Sequence, residues 1–198
     1  ANVAFSDGSL LHGFTNRLQK KQPISAPNDI LRYFITPKES GELCLMSSIL
    51  GENRDIFFPK LSDSLHLISF SDIAKKFVIQ NGYEPFECES EEEARLESNS
   101  LILNNKWPCY FFKSDTSGEK DFEEFYTKDD ILNMSTFNSI GIVNQLINNE
   151  VNLDQFVDDI KALKNTGKWT KDEVIKSFNK IIPEFSHLET GKNLDQKM

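Results

Sequence analysis

Apolar residues that recur every three or four positions predict a series of amphipathic helices along this chain. Leu10, Phe14 and Leu18, spaced by four, are typical of a helix that buries one face. The same spacing, together with capping and stop residues, marks further helices later in the sequence. The predicted helices cover residues 8–21, 37–50, 71–81, 90–97, 152–167 and 170–183.

The clearest helix start in the sequence is the run Thr-Pro-Lys-Glu at residues 36–39. The threonine can cap the helix, the proline suits the first helical position, and the glutamate can close a capping box. We expect Gly51 to end this helix. Its buried stripe is predicted to contain Leu43, Met46 and Leu50.

Short apolar runs between turn residues predict strands. Phe122, Phe125 and Tyr126 are expected to lie in a further extended segment, and the polar residues 98–105 in a loop. The predicted strands are residues 1–5, 23–27, 33–35, 55–59, 85–89 and 108–113.

The order of these elements predicts an α/β fold, or α+β for this stretch in isolation, and excludes a helical bundle. Strands and helices are mixed up to residue 145, and a polar hinge at residues 148–150 then leads into a helical hairpin. We therefore predict a substrate-binding domain over residues 1–145 and a helical C-terminal extension over 146–198. Residues 187–198 are polar and are expected to be frayed or surface-bound.

Charge and composition exclude several classes of protein. The 198 residues carry 31 acidic and 22 basic side chains, a net charge of −9. This balance argues against non-specific binding of nucleic acid and against binding to anionic membranes. The sequence has no apolar run of about 18 residues, as a spanning helix would need. Its 16 phenylalanines argue against disorder.

The three cysteines favour a reducing compartment. Cys44, Cys88 and Cys109 are odd in number, share no metal-ligand spacing and lie in apolar stretches. We interpret them as small buried hydrophobic residues and expect a cytoplasmic protein.

Common catalytic motifs are absent from the sequence. No two of the nine glycines form a Gly-x-Gly pair, and no tyrosine is followed by lysine at the fourth position. Metal-binding His-Glu-x-x-His and nucleophilic Gly-x-Ser-x-Gly runs are also missing. We therefore predict no catalytic residue and no metal or cofactor site within these residues.

Two local groups of residues suit ligand binding. Arg32 stands between an apolar leucine and an aromatic pair, so it could present a rigid fork to a phosphate; equally, it could pack against phenylalanine and pair with a surface carboxylate. The turn Ser-Gly-Glu-Lys at residues 117–120 could bind sugar hydroxyls through Glu119, or it could be an exposed ion pair.

Four segments resemble motifs of one enzyme family. Residues 2–10 resemble its Gly-Asn-Val-x-x-Ser-Arg-Gly-Ser-Val segment, and residues 31–36 its Thr-Arg-Phe-Phe/Trp-Ile-Thr segment. Residues 55–60 resemble Glu-Ile-Phe-Val-Pro-Lys, and residues 118–120 with Glu123 resemble Arg-Pro-Gly-Glu-Lys-Leu-His-Glu. The matches cover residues 1–128 in order.

On these segments the chain resembles the C-terminal half of bacterial NDP-N-acetylglucosamine 4,6-dehydratases. They form the polysaccharide-biosynthesis branch of the extended short-chain dehydrogenase/reductase (SDR) superfamily, which has a Rossmann-type fold. The resemblance is strongest to dehydratases of legionaminic-acid-type sugar pathways.

The resemblance implies a role for each matching residue. Asn2 would lie beside the substrate diphosphate, and Ser9 and Leu10 would open the helix that lines the nucleotide pocket. Arg32 would hold the diphosphate, and Glu119 would contact the ribose hydroxyls. Two departures remove positive charges: Asp and Thr stand at positions 7 and 116, where the family has arginine. Arg32 would therefore contribute more of the phosphate binding.

The resemblance also implies that the catalytic machinery of the family is not among these residues. In the family, an N-terminal Rossmann half holds NAD, and a Tyr-x-x-x-Lys pair acts on the sugar: hydride leaves C4, water is eliminated across C5–C6, and hydride returns to C6. We therefore expect this chain alone to be inactive, and the intact enzyme to bind UDP- or GDP-N-acetylglucosamine. The alternative is a free-standing, non-catalytic nucleotide-sugar-binding or oligomerisation module.

The first residues of the chain resemble the end of a strand inside a larger sheet. We expect residues 1–3 to lack neighbouring parallel strands and to leave an exposed edge. Such an edge favours self-association, so the protein is a possible homo-oligomer.

Overall fold

A computed structural model describes residues 2–61, 67–119, 123–144, 152–183, 185 and 187–192. The strands are β1 (Asn2–Val3), β2 (Ile24–Pro27), β3 (Leu31–Arg32), β4 (Phe34–Ile35), β5 (Asp55–Pro59), β6 (Ile68–Ser69), β7 (Glu84–Cys88), β8 (Lys106–Phe112), β9 (Ile131–Asn133) and β10 (Ile140–Asn144). The helices are α1 (Leu10–Gln19), α2 (Pro37–Leu50), α3 (Phe70–Gln80), α4 (Glu91–Leu96), α5 (Ser98–Leu103), α6 (Leu153–Thr166) and α7 (Lys171–Ile181).

The mixture of helices with parallel strands confirms the predicted α/β fold. The chain divides into two units. The first contains residues 1–114 and 120–145, and the second contains residues 115–119 and 146–198. The turn at residues 115–119 thus belongs to the second unit, whereas the sequence predicts a domain over residues 1–145.

The main core of the first unit is built on a parallel sheet of order β2-β8-β7. Its central strand β8 buries the consecutive residues Trp107, Pro108 and Cys109, as expected for a strand that is covered on both faces. The Trp107 indole N–H donates to the Gln22 carbonyl at 3.2 Å, which satisfies the polar atom of a buried ring. Phe14 of α1 and Phe77 of α3 pack into the same core, with their ring centroids 5.8 Å apart.

A second, antiparallel sheet of order β5-β10-β9 lies in the same unit. Gly141 of β10 faces Phe58 of β5, and a Cβ on that glycine would lie 2.3 Å from the Phe58 ring. Only glycine leaves room for this ring, so the close approach depends on the missing side chain. Strands β9 and β10 were not predicted.

Two short strand pairs carry the segment around Arg32. Strand β3 pairs antiparallel with β6, and β4 pairs parallel with β1. In the second pair Asn2 lies opposite Phe34, and the Asn2 N–H donates to the Tyr33 carbonyl at 2.7 Å. The expectation that the first residues lack a neighbouring parallel strand is therefore wrong. Self-association of the protein stays a prediction.

The second unit contains a helical hairpin of α6 and α7, as predicted. Gly167 ends α6 in the left-handed region, at φ 62°, where glycine carries no steric cost. Thr170 and Glu173 form the expected capping box at the start of α7. The rings of Phe156 and Phe178 meet edge to face across the hairpin, with centroids 5.2 Å apart.

Several local predictions need correction. The polar stretch expected to be a loop at residues 98–105 contains helix α5, which begins directly after α4. Phe125 and Tyr126 lie in a bend and not in a strand, and Phe122 is outside the described residues. Helix α2 has the predicted capping box but buries no residue: Leu50 is exposed, and Leu43 and Met46 are half-buried.

The prediction for the cysteines is correct for two of the three. Cys88 and Cys109 are buried in adjacent strands, whereas Cys44 is exposed on α2. Its exposure follows from the position of α2, which has no fully buried residue.

Candidate functional site

Arg32 is a largely buried cation, and Glu123 places a carboxylate close to it. Its Nε lies 3.3 Å from Glu123 Oε2, and 13% of the Arg32 side chain is exposed, against 38% for Glu123. A guanidinium nitrogen also donates to the Leu31 carbonyl at 2.9 Å, and the guanidinium carbon lies 5.9 Å from the centre of the Phe70 ring. These contacts hold the guanidinium N–H groups in one orientation, so Arg32 is positioned to bind a planar or tetrahedral anion.

Aromatic stacking holds the segment that carries Glu123. Phe125 stacks on Tyr33 with ring centroids 4.7 Å apart and lies 6.0 Å from Phe58. Burial, with Tyr126 and Glu123 nearby, raises the pKa of Tyr33, so this phenol stays protonated at neutral pH. Glu123 is thus kept beside Arg32 by ring packing as well as by charge.

A cleft of about 670 Å³ opens beside this aromatic cluster, within the first unit. Its walls come from α2, β4, β5 and the segments around Phe125 and Asn138, and are mostly apolar. Glu39, Glu42 and Lys60 provide charge at the walls. The Lys60 ammonium donates to the carbonyls of Met134 and Phe137, each at 2.5 Å, so it stabilises the β9–β10 connection.

The residues expected at the start of the nucleotide pocket have clear structural contacts. Asn2 lies in β1, whose neighbour β4 begins two residues after Arg32, so the backbone of Asn2 is close to the Arg32 segment. The Ser9 hydroxyl accepts from the His12 N–H at 3.3 Å and caps α1. Leu10 packs against the main core. Their contacts with a ligand stay predictions.

Glu119 belongs to the second unit, in the turn over residues 115–119. Gly118 adopts φ 72°, a conformation that favours glycine. The Ser117 N–H donates to the Lys192 carbonyl and the Gly118 N–H to the Leu188 carbonyl, at 3.0 and 2.9 Å. The turn is therefore held by residues 187–192. Residues 187–192 are mostly exposed and bound to this turn, as the surface-bound alternative for the tail predicts, and residues 193–198 lie outside the described residues.

Sequence reasoning gave no role to Glu123 or to Glu189. Glu123 pairs with the predicted site residue Arg32, and Glu189 contacts Ser117 in the turn that carries Glu119. Glu123 was part of a matched motif, and this was the one signal that could have identified it. Glu189 carries no such signal, because its partners are distant in sequence.

The start of helix α4 does not suit the pyrophosphate of a dinucleotide cofactor. A pyrophosphate would need a glycine-rich turn after a parallel strand, followed by a helix N-terminus. Helix α4, which follows the parallel strand β7, begins instead with three consecutive glutamates at residues 91–93, whose charges would repel a pyrophosphate. In the described part of the chain no group of three or more His, Cys, Asp or Glu side chains could hold a metal ion.

Comparisons with known proteins support a relationship to sugar metabolism. Residues 1–145 match the model of a family described as "Polysaccharide biosynthesis protein". A solved structure titled "X-ray structure of Pen from Bacillus thuringiensis" is similar to the chain, with a TM-score of 0.51 and 18% sequence identity over 74% of this chain. This likeness shows the fold alone, and the chain spans 38% of that protein's length.

No curated protein matches the sequence of this chain. Within the described ranges, none of the helices has the length and the apolar character needed to cross a membrane.

Proposed function

Because the chain belongs to the polysaccharide biosynthesis protein family, we propose that it is the substrate-binding portion of a nucleotide-sugar 4,6-dehydratase. Its substrate would be UDP- or GDP-N-acetylglucosamine, and the product a 4-keto-6-deoxy-N-acetylhexosamine still attached to the nucleotide, with net loss of one water. The enzyme would serve the synthesis of surface polysaccharide or nonulosonic acids.

The observation that carries this proposal is the environment of Arg32. Its guanidinium is oriented by the Leu31 carbonyl and the Phe70 ring, and 13% of the side chain is exposed. An anion that reaches it meets a fixed cation in partly desolvated surroundings, where a charge-assisted hydrogen bond is stronger than in water. The oxygens of a diphosphate can accept two hydrogen bonds from the parallel N–H groups of a guanidinium.

Glu123 gives this cation a partner in the absence of ligand. The carboxylate is the more exposed member of the pair, so it is the one that can turn away to water when a phosphate approaches. The buried charge of Arg32 is therefore compensated both before and after binding. We expect Glu123 to weaken nucleotide binding, because the ligand has to displace it.

The proposed role of Glu119 is separate. By resemblance, its carboxylate would accept hydrogen bonds from the ribose hydroxyls. Asn2, Ser9 and Leu10 would lie along the nucleotide by the same resemblance, with Asn2 beside the diphosphate.

The catalytic chemistry is assigned to a cofactor-binding half outside these residues. Helix α2 offers a surface for such a partner, because Leu45, Ile49 and Leu50 are each more than half exposed. The chain alone is then inactive as a dehydratase. Formation of a keto sugar from UDP-N-acetylglucosamine by this chain alone would contradict the assignment.

Calorimetric titration with UDP and with GDP tests the binding role. The variant Arg32→Ala should bind the preferred nucleotide about 10- to 100-fold more weakly than the wild type, as expected for loss of a charge-assisted contact. The control Arg95→Ala removes an exposed arginine paired with Glu91 on α4 and should leave the affinity unchanged. Equal affinity of Arg32→Ala and wild type, or no binding of either nucleotide by the wild type, would overturn the proposal.

A further inference from the structure

Lys60 follows strand β5 and holds the loop of residues 134–139, which connects β9 to β10. Its ammonium donates to the carbonyls of Met134 and Phe137, each at 2.5 Å, and its backbone N–H donates to the Ser139 carbonyl at 2.9 Å. One residue therefore bonds the beginning, the middle and the end of this loop. Because two carbonyls converge on one ammonium, the loop backbone has to keep its curvature for both bonds to form.

The same loop is ordered from its other side by Asn133, the last residue of β9. The Asn133 side-chain oxygen accepts from the Ser135 N–H at 3.1 Å and from the Thr136 N–H at 3.2 Å. The Asn133 side-chain amide donates to the Thr136 hydroxyl at 2.8 Å. The Phe137 ring packs against Phe57 of β5, with centroids 5.7 Å apart. The loop therefore has a defined conformation that side chains of β5 and β9 help to hold.

This loop forms one wall of the cleft of about 670 Å³ in the first unit, where Asn138 and Ser139 line it. These two are the uncharged polar residues of a lining that is mostly apolar, so they are suited to orient a ligand through hydrogen bonds. Lys60 bonds the carbonyls of the residues on both sides of Asn138. The position of this wall therefore depends on Lys60.

The cleft suits an uncharged ring better than a phosphate. Glu39 and Glu42 lie at its walls, and of the described residues that line it Lys60 alone is cationic. The Lys60 ammonium is engaged by two carbonyls, and the two carboxylates repel an anion. Aromatic side chains favour packing with a flat ring. The aromatic residues of the lining are Phe34, Phe57, Phe58 and Phe125.

The cleft and the environment of Arg32 are built on the same two segments of the first unit. Phe34 lies two residues after Arg32, and Phe125 lies two residues after Glu123, which pairs with Arg32. Phe125 also stacks on Tyr33, with centroids 4.7 Å apart. A ligand whose diphosphate reaches Arg32 can therefore place an attached uncharged ring in the cleft.

We propose that Lys60 is a positioning residue for nucleotide binding, which holds the 134–139 loop so that the cleft keeps the shape that receives the nucleoside. This inference rests on the proposed binding of a nucleoside diphosphate at Arg32, and it assigns the lysine to the support of the cleft and not to the phosphate. Without the ammonium, the two carbonyls lose their shared donor and turn towards water. The loop is then less ordered, and its ordering on binding costs part of the affinity.

Amide hydrogen exchange without ligand tests the role of Lys60 in the loop. Lys60→Met keeps the aliphatic stem and removes the ammonium. In this variant the amides of residue 60 and of Thr136 should exchange at least about fivefold faster than in the wild type, while the amides of α3 stay protected. The control Lys106→Met removes the same charge from a lysine that pairs with Glu84 in the parallel sheet, and should leave the loop unchanged. Unchanged exchange of the loop in Lys60→Met would overturn the inference regardless of any ligand.

Calorimetric titration with the preferred nucleotide, UDP or GDP, and with its nucleoside tests the effect on binding. Lys60→Met should bind both ligands about five- to tenfold more weakly than the wild type and by the same factor, because the lysine acts on the nucleoside end. Lys60→Arg keeps a cationic donor for the loop carbonyls, so it should lose less affinity than Lys60→Met. Lys106→Met should bind both ligands as well as the wild type.

The outcomes separate this inference from the proposed function. If Arg32→Ala weakens nucleotide binding but Lys60→Met equals the wild type, the positioning role is wrong and the proposed function stands. A loss in Lys60→Met for the nucleotide alone would show that the ammonium meets phosphate, which also contradicts positioning. Equal losses in Lys60→Met and Lys60→Arg would contradict a role through the ammonium. If the wild type binds neither nucleotide, the proposed function and the dependent role of Lys60 both fail.

Discussion

Arg32 and Glu123 form an ion pair in which the arginine is the more buried partner, with Nε and Oε2 3.3 Å apart. The pair is held from both sides, because the Phe70 ring lies against Arg32, and Phe125, two residues beyond Glu123, stacks on Tyr33. A buried cation with an exposed counter-charge can exchange that counter-charge for a ligand anion. The proposed diphosphate site depends on this exchange.

Removal of the Glu123 charge should strengthen nucleotide binding. In Glu123→Gln, UDP no longer competes with a carboxylate for Arg32, so its affinity should rise by about two- to tenfold. Calorimetric titration measures the change. The control Glu87→Gln removes a carboxylate from a pair of the same length, 3.3 Å from Lys75. Weaker UDP binding in Glu123→Gln would show that Glu123 supports the ligand and does not compete with it.

Two glycines should respond oppositely to substitution by alanine. Gly41 lies inside α2 with open space around it, so Gly41→Ala should raise the free energy of unfolding by about 0.5–1 kcal/mol. Gly141→Ala would place a Cβ 2.3 Å from the Phe58 ring and should lower that free energy by about 1–3 kcal/mol. Urea unfolding measures both. A neutral Gly141→Ala would mean that β5 and β10 separate easily.

The three cysteines should differ in their reaction with a maleimide. Cys44 is exposed and should be modified in the native protein, whereas Cys88 and Cys109 are buried. Burial raises the pKa of Cys109 to about 12, so it carries almost no thiolate at neutral pH. Mass spectrometry should show one adduct on the native protein, three after denaturation, and none on native Cys44→Ser. Two or three native adducts would contradict the packing of β7 and β8.

The capping box of α2 should contribute to the loss of stability in acid. The backbone N–H and hydroxyl of Thr36 lower the pKa of Glu39, so its folded pKa lies below its unfolded one. The stabilisation is complete above the unfolded pKa and is lost as the pH falls through the folded one. Glu39→Gln keeps the box without a titrating group. The wild type should therefore keep its advantage in unfolding free energy over Glu39→Gln above about pH 4.3, the unfolded pKa of a glutamate, and lose it as the pH falls below that value. A constant difference would contradict this.

The parts of the fold that depend on neighbouring residues were predictable from the sequence. The capping boxes at Thr36 and Thr170 and the glycine end at Gly167 each involve residues within one helical turn, so local patterns identify them. Strand β9 has only three residues, too few for a recognisable pattern. The apolar run of β10 is interrupted by Gly141, and its pairing with β5 joins segments far apart in sequence.

The candidate site likewise contains residues that a local sequence pattern identifies and contacts that it does not. Arg32 was identifiable because its immediate neighbours are apolar and aromatic. Its ion pair with Glu123 and the hydrogen bond between Ser117 and Glu189 each join segments that are distant in sequence. In a sequence, polar residues at such positions resemble ordinary surface charges. The stripe of α2 was predicted as buried because the spacing of apolar residues cannot tell whether a partner surface is present.

Titration with UDP and with uridine, into the wild type and into Arg32→Ala, tests the central claim most directly. Uridine lacks the diphosphate, so a residue that holds phosphate should matter for one ligand only. We predict that Arg32→Ala weakens UDP binding by about 10- to 100-fold and leaves uridine binding within about twofold of the wild type. Equal losses for both ligands, or no loss for UDP, would contradict the assignment of Arg32 to the diphosphate and with it the proposed nucleotide-sugar site.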